Sequence, residues 1–251
     1  MNLNYKESFE KTKIAGSIAA GALDEVYKII KPGITTEEID NICYEYINDH
    51  KAYSAPLFYR GFPKSCCTST NHIVCHGIPS NKILKEGDIV NVDVTALKEG
   101  WHGDTSRMFE VGEISVKAKK LINTTHEAMM KAIKIIKNGI HLGDIGSAIQ
   151  THVESNGFSV VQDFCGHGIG ESFHKAPNVL HYGKKGTGEK IKTGMIFTIE
   201  PMINLGSYET KILNDGWTAV TKDKSLSAQF EHTIGVTNNG YEIFTQSNQT
   251  F

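Results

Sequence analysis

Two acidic residues stand at corresponding places in two strand-like segments of the chain. Residues 88–94 and 195–200 alternate between two faces, and one face of each runs from an apolar residue through a small polar residue to a carboxylate. These faces are Ile89, Asn91 and Asp93, and Ile196, Thr198 and Glu200. Because a carboxylate on an apolar strand is costly unless it is paired, hydrogen-bonded or bound to a metal, Asp93 and Glu200 indicate either a cation site or a structural ion pair.

A second carboxylate follows each of the first two. Asp104 comes eleven residues after the first, and Glu231 comes 31 residues after the second. Four carboxylates can bridge two divalent metal ions, and His167, which glycines flank on both sides, can add a nitrogen ligand. The alternatives are a structural histidine and a phosphate-binding loop at residues 165–170. That loop has the spacing GxGxG rather than the GxGxxG and following helix of a nucleotide-binding loop.

The four carboxylates belong to two similar parts of the chain. Residues 28–34 (KIIKPGI) match residues 134–140 (KIIKNGI) at an offset of 106, and residues 85–89 correspond to residues 192–196 at an offset of 107. Chance similarity of short strings is the alternative interpretation. A duplication predicts two halves packed about a pseudo-twofold axis, with a site between them. The repeat covers about residues 6–112 and 115–240.

Each half reads as two helices followed by strand-rich sequence. The predicted helices span about residues 6–30, 35–50, 115–137 and 141–156. Thr35 or Thr36 caps the second helix, whose first turn carries two glutamates, and a Lys-rich stretch before a glycine ends the first helix of each half. Residues 158–164 are also strand-like, and the long gap between the last two carboxylates predicts a hairpin around residues 206–225.

Composition restricts the compartment and the partners. The 251 residues are 39% hydrophobic, which suits one large core, and 26 basic against 28 acidic residues leave a net charge of −2. That balance gives no general affinity for nucleic acid or anionic membranes, and no apolar run is long enough to span a bilayer. Five cysteines without a CxxC pair favour a reducing, cytoplasmic location. Residues 14–23 resemble a signal peptide, but they are rich in Gly, Ala and Ser rather than Leu, and Glu7 and Glu10 interrupt the basic leader. The repeat instead makes this segment part of the first helix.

The candidate ligands, in their order and spacing, resemble the five metal ligands of the type I methionine aminopeptidases. They are Asp93, Asp104, His167, Glu200 and Glu231. The surrounding strings are similar over nearly the whole chain: CHGIP at 75–79, HGDT at 102–105, GHGIG at 166–170, TIEPM at 198–202 and SAQFEHT at 227–233. The resemblance implies the α/β (α+β) pita-bread fold, in which two pseudo-symmetric halves have an antiparallel β-sheet core and outer helices. It also implies a single catalytic metallopeptidase domain over residues 1–251.

Two features distinguish this chain from other groups with the same fold. The gap from Glu200 to Glu231 is short, whereas type II enzymes carry a helical insertion there. We expect the minimal bacterial form, because no added domain precedes the first helix, and the same point argues against a prolidase or an aminopeptidase P. A non-enzymatic binding module and a creatinase-like metal-free hydrolase are further alternatives, but they lack ligands that are all in place here.

By this resemblance, Asp93 and Glu231 bridge two divalent metal ions, Asp104 chelates one ion, and His167 and Glu200 complete the other. The ligand set is rich in oxygen and contains no thiolate, which suits Co, Mn, Fe(II) or Zn. Metal-activated hydroxide would attack the carbonyl carbon of the first substrate residue, and Glu200 would shuttle the proton.

The resemblance also implies substrate-binding residues. His76 would bind the scissile amide, and His174 would bind the carbonyl oxygen as its negative charge develops. A methionine side chain requires an apolar pocket, and aromatic rings and sulfur contact a thioether well. Five residues match pocket positions by local context: Tyr59, Phe62, Cys67, Phe173 and Trp217. Pro56, where many relatives carry Cys, lies at the rim.

The implied activity is removal of the initiator methionine from nascent polypeptides whose second residue is small. The expected partners are these N-termini, with transient contact at the ribosome, and the expected enzyme is a monomer. The position of Cys67 beside the pocket implies sensitivity to thiol reagents.

Overall fold

The computed structural model describes residues 5–247 and residue 249. Of the predicted domain, residues 1–4, 248, 250 and 251 lie outside the described residues. The interpretation of the remainder as a single domain stays a prediction.

Four α-helices occur in residues 5–247, at the predicted places. They are α1 (Tyr5–Ile29), α2 (Thr36–Asp49), α3 (Val116–Lys134) and α4 (Leu142–Ser155). Thr35 is the cap of α2, since its hydroxyl accepts the Glu38 N–H while the Glu38 carboxylate accepts the Thr35 N–H. None of the described helices has both the length and the apolar composition needed to cross a membrane.

The helix α3 ends three residues before the predicted boundary. The N–H of Ile136 donates to the carbonyl of Ile133, three residues earlier, at 3.0 Å. This tighter bond replaces the α-helical bond to the fourth residue back and ends the helix. Gly139 then adopts φ +94° in the turn towards α4. The glycine predicted to mark the helix end therefore lies in the following turn.

Fifteen strands lie in the described part of the chain. In the first half they are β1 (Tyr53–Ser54), β2 (Cys67–Thr70), β3 (Ile73–Cys75), β4 (Ile89–Lys98) and β5 (Trp101–Glu110), with a 3-10 turn at Tyr59–Gly61. In the second half they are β6 (Ser159–Val160), β7 (Gly166–Gly168), β8 (Lys175–Val179), β9 (Ile196–Ile199), β10 (Met202–Asn204), β11 (Thr210–Ile212), β12 (Ala219–Thr221), β13 (Ser227–Gln229), β14 (Glu231–Val236) and β15 (Tyr241–Ile243).

One antiparallel sheet forms the centre of the fold. Its strands follow the order β1-β4-β5-β14-β9-β7-β8, with β2 added to β4 and β15 added to β14. The hairpin of β4 and β5 corresponds to the pair of β9 and β14, and the two pairs meet where Glu231 lies opposite Ser106. The seam between the halves therefore runs through the middle of the sheet.

The two halves repeat individual backbone hydrogen bonds. Gly33 N–H donates to the carbonyl of Leu84 at 2.8 Å, and Gly139 N–H donates to that of Ile191 at the same distance. Both glycines have φ near +100°, at +100° and +94°. These pairs stand at the offsets of 106 and 107 seen in the sequence, which agrees with the predicted pseudo-symmetry.

The predicted strand faces are confirmed. Val90, Val92 and Val94 pack with the inner sides of α1 and α2 in one apolar core, whereas Asp93 points to the opposite face. A second core, beneath α3 and α4, includes Phe197 and Ile199 of β9. Helices cover the outer face of the sheet, and the inner face is left for the polar residues.

Two smaller predictions have different outcomes. The hairpin predicted around 206–225 is present as the antiparallel pair β11 and β12. The strand predicted at 158–164 is mostly loop, because beyond Val161 the exposed polar residues Gln162 and Asp163 leave the sheet.

Candidate active site

All twelve predicted site residues line one cavity of about 390 Å³ on the inner face of the sheet. They are Tyr59, Phe62, Cys67, His76, Asp93, Asp104, His167, Phe173, His174, Glu200, Trp217 and Glu231. The cavity receives residues from both halves of the chain, as the duplication predicts for a site between halves.

The candidate metal ligands form the floor of this cavity. Asp93 lies on β4, Asp104 on β5, Glu231 at the start of β14, Glu200 directly after β9, and His167 on β7. These strands are consecutive neighbours in the sheet, so each contributes one side chain to the same region. Residues separated by more than a hundred positions in the sequence thus meet through strand pairing.

Distances within the floor are short. Ligand atoms of Asp104, His167 and Glu231 all lie within 4.8 Å of one another. The Nε2 of His167 is 3.6 Å from Asp104 Oδ2 and 3.6 Å from Glu200 Oε1. Glu231, Asp104 and Glu200 are only 2%, 4% and 8% exposed, so their charges are removed from water.

Burial and crowding shift the ionisation of the floor. Burial, followed by the neighbouring carboxylates, raises the pKa of both Asp93 and Glu231 well above the usual range. Burial also raises the pKa of Glu200, to about 7. For His167, burial opposes protonation, but the hydrogen bond to Asp104 and the charge of Glu200 prevail and raise its pKa to about 9. The floor therefore favours positive charge.

A divalent cation fits this set of donors. The Oε1 of Glu231 is buried and has no hydrogen-bond partner among the described residues, which is costly unless a cation binds it. Four carboxylates and one imidazole are hard and borderline donors, and no thiolate is needed.

Hydroxyl groups fix the orientation of the floor residues. Thr198 donates to Glu200 Oε1 at 2.8 Å and accepts the backbone N–H of His167 at 3.0 Å. Thr95 donates to Asp104 Oδ1 at 2.6 Å. These bonds hold one oxygen of each carboxylate and leave Glu200 Oε2 and Asp104 Oδ2 available to a metal ion.

The walls of the cavity carry the other predicted residues. His174 Nδ1 lies 3.1 Å from the hydroxyl of Tyr59, and its ring centroid is 4.2 Å from that of His167. His76 occupies the left-handed region with φ +57°, an uncommon conformation for histidine that occurs at functional sites. Burial lowers the pKa of His76, and burial followed by the charge of His167 lowers the pKa of His174 to about 4. Both rings are therefore neutral near pH 7.

Aromatic rings form an apolar recess beside these histidines. The rings of Phe62 and Trp217 meet edge to face at 5.2 Å, and those of Tyr59 and Phe173 lie 4.9 Å apart. Cys67 adds a small sulfur-containing side chain, because β2 pairs with β4 and sets Cys67 opposite Asp93.

Residues 10–238 match the sequence profile described as Metallopeptidase family M24. The chain belongs to metallopeptidase family M24. The family resemblance inferred from the ligand motifs is thereby confirmed, and binding of divalent metal is a property of this family.

Individual M24 relatives are similar over almost their whole length. A methionine aminopeptidase from Rickettsia prowazekii is 54% identical over 98% of this chain and 96% of its own length. One from Escherichia coli K12 is 52% identical over 98% of this chain and 94% of its own. A crystal structure of the Rickettsia enzyme superposes with a TM-score of 0.95 at 55% identity, covering 96% of this chain and 98% of that one.

More distant M24 structures share the fold alone. A prolidase from Pyrococcus furiosus superposes with a TM-score of 0.78 at 22% identity, and the match covers 65% of that chain. The pita-bread fold expected from the sequence is confirmed by these likenesses.

Several cavity residues were not predicted as site residues from the sequence. Thr95 continues the alternating face of Asn91 and Asp93, so extending the predicted strand segment 88–94 by one residue would have found it. Arg60, Asp163, Phe164, Cys165 and Met202 also line the cavity. They lie in turns or beside strand ends, where no periodic pattern indicates which way a side chain points.

The structure changes the expectation for thiol reagents. Cys67 is 7% exposed, and burial followed by the charge of Asp93 raises the pKa of its thiol well above the usual range. Burial raises the pKa of the Cys165 thiol less, and this side chain is only half-buried, so we expect iodoacetamide at pH 8 to label Cys165 before Cys67. Peptide mass spectrometry over a time course would measure both rates, and equal or faster labelling of Cys67 would contradict this prediction.

Proposed function

We propose that this chain removes the initiator methionine from new polypeptides whose second residue is small, with two divalent metal ions at the cavity floor. The observation that carries the proposal is the placement of five candidate ligands on adjacent strands directly beneath an apolar recess. The high identity to methionine aminopeptidases over full length supports the same reading.

Five residues would hold the two ions: Asp93, Asp104, His167, Glu200 and Glu231. The chemistry that divalent ions supply at such sites is acidification of water and polarisation of the carbonyl group. Co, Mn, Fe(II) and Zn all suit this donor set. The remaining tasks fall to side chains of the protein.

Glu200 is the group we assign to proton transfer. Its buried carboxylate lies at the cavity floor, where it can accept a proton from the attacking water and return it to the departing nitrogen. The Thr198 hydroxyl holds Oε1, so the proton is handled at a fixed position.

The two wall histidines bind the peptide group. If the Tyr59 hydroxyl donates to Nδ1 of the neutral His174, the Nε2–H of that ring can donate to the carbonyl oxygen. His76 binds the scissile amide. The recess of Phe62, Trp217 and their neighbours accepts the methionine side chain.

The assay that tests this function measures free methionine released from Met-Ala-Ser and Met-Lys-Ser. The protein is stripped of metal and then supplied separately with Mn, Fe(II), Co or Zn. We expect metal-dependent cleavage of Met-Ala-Ser only, because crowding near the ligands excludes a long second side chain. Folded, metal-binding protein that releases no methionine with any of the four ions would overturn the proposal.

The substrates we propose are N-termini of nascent chains, met by the enzyme as a monomer in the cytoplasm with transient contact at the ribosome. All twelve candidate residues come from one chain, so the site needs no second subunit. The five cysteines are all free, as a reducing compartment favours.

The mouth of the cavity suggests a preference further along the substrate. Among the described lining residues, Arg60, Asp163 and His174 are the exposed ones, so the rest of a peptide must leave past them. The guanidinium of Arg60 lies 5.3 Å from the centroid of the Tyr59 ring, and its charge acts on His174. Arg60 can therefore attract an acidic residue downstream of the cleaved bond.

We expect Arg60→Glu to lower kcat/KM for Met-Ala-Asp peptides relative to Met-Ala-Lys peptides by about two- to five-fold, the range of an exposed charge pair. The difference should shrink in 0.5 M salt through screening. Lys131→Glu, on the exposed side of α3, is the control for net charge. An unchanged ratio in the Arg60 variant would contradict the prediction.

A further inference from the structure

Glu200 stands where its strand leaves the sheet. β9 ends at Ile199, and the following residue, Pro201, has no N–H to continue the ladder. On the neighbouring strand, the carbonyl of Glu231 accepts the hydroxyl of Thr105 at 2.7 Å. The paired register of β9 and β14 ends at Ile199 opposite His232, so the backbone N–H of Glu200 lies beyond the ladder and needs a partner outside it.

A buried histidine supplies that partner. The N–H of Glu200 donates to Nε2 of His181 at 3.1 Å. The side chain of His181 is 1% exposed and does not belong to the described cavity lining. Because Nε2 accepts, the ring carries its proton on Nδ1, and a doubly protonated ring would set two donors face to face.

The outer helix α4 fixes the segment that carries this histidine. At Gly146 of α4, a Cβ atom would lie 2.3 Å from the carbonyl oxygen of Tyr182 and 2.9 Å from that of Leu180. Gly183, which follows Tyr182, donates its N–H to Oε1 of Gln150 at 3.0 Å, and Gln150 also lies on α4. The backbone on both sides of His181 thus rests directly on α4, and only glycine permits the close approach.

We infer that His181 is a positioning residue for Glu200, held in place by α4. The main chain of Glu200 is fixed by His181, and its carboxylate is fixed by Thr198. A carboxylate that must both serve a metal and move a proton requires this kind of support, since small displacements of such groups are costly. The inference rests on the proposed function for the task of Glu200, and on geometry alone for the contact.

Two substitutions at position 181 separate positioning from packing. His181→Gln retains an acceptor near the place of Nε2, whereas His181→Met keeps similar volume without it. With Met-Ala-Ser, we expect His181→Met to lower kcat by about 10- to 100-fold with KM within two-fold, the range for partners that orient metal ligands. We expect His181→Gln to recover most of that loss.

A second route to the same effect avoids position 181. In Gly146→Ala, the new methyl group must push the segment 180–182 away from α4, and we expect a loss of kcat in the same direction although residue 146 is outside the cavity. This variant also carries the test if His181→Met does not fold. His152→Met, on α4 and outside the cavity lining, is the matched control and should leave kcat unchanged.

Two measurements do not depend on methionine release. The 15N and 1H shifts of the Glu200 amide should move in His181→Met and stay near the wild-type values in His181→Gln. Calorimetric titration with Mn²⁺ should show weaker binding in the Met variant. If wild-type protein released no methionine but these two differences appeared, the proposed function would fail while the positioning role stood.

Equal kcat, Mn²⁺ affinity and Glu200 amide shifts in wild type and His181→Met would overturn the inference. So would a folded His181→Gln variant as impaired as His181→Met, because the role would then be packing of the ring rather than acceptance of the hydrogen bond.

Discussion

Glu231→Gln is expected to abolish detectable methionine release and to remove the thermal stabilisation that Mn²⁺ gives the protein. The substitution preserves shape but deletes one carboxylate from a floor in which Oε1 of Glu231 has no partner among the described residues. With Mn²⁺ at about 100 times its Kd, binding contributes about 2.7 kcal/mol, which corresponds to roughly 5–10 °C in Tm for a protein of this size. Differential scanning fluorimetry with and without Mn²⁺ would measure it.

The metal-free variant gives the sharper comparison. Because burial and like charge raise the pKa of Glu231, its carboxylate is under electrostatic stress, and Gln should leave the metal-free Tm unchanged or higher. Glu209→Gln, which alters an exposed glutamate paired with Lys222, is the control. A Glu231→Gln protein that keeps its activity, or its full response to Mn²⁺, would refute the assignment of Glu231 as a ligand.

His174→Ala is expected to lower kcat by about 10²–10³-fold with little change in KM. Loss of one donor to a developing oxyanion has this magnitude, and the donor contributes most in the transition state. Steady-state kinetics on Met-Ala-Ser would give both constants. His50→Ala, an exposed histidine on the far end of α2, should behave as wild type.

The pH dependence adds a check on His174. Burial and the charge of His167 lower its pKa to about 4, so the ring stays neutral and able to donate through the pH range 6 to 8. The ratio of wild-type to His174→Ala kcat should therefore be constant over that range. A ratio that falls between pH 7 and 6 would show that the ring titrates there and contradict the assignment.

Much of this site was readable from the sequence because strand periodicity and duplication are local or repeated signals. Alternation placed Asp93 on the face opposite Val92, and the repeat made Glu200 its counterpart. The family motifs then supplied Asp104, His167 and Glu231. The helix positions followed from caps and apolar patterns that tertiary packing did not override.

Other features arise only from tertiary contacts. Nothing in the sequence spacing indicates that His181 accepts the Glu200 N–H. The hydrogen bond joins a loop to the end of a strand, and that loop is placed by its contact with a glycine of α4. Nor does the sequence show that Arg60 reaches the cavity mouth, since it lies in a short turn with φ +49°. The difference in solvent exposure between Cys67 and Cys165 depends on the packing of several elements at once.

The central seam between β5 and β14 also fixes when activity can arise during synthesis. The first half and strand β7 deliver Asp93, Asp104 and His167, but Glu200 and Glu231 are translated later, and the bond between Thr105 and Glu231 spans 126 residues. Such a long-range contact forms late. A ribosome-bound chain that has not yet added and paired β14 therefore carries an incomplete ligand set and cannot process other proteins, or itself, ahead of time.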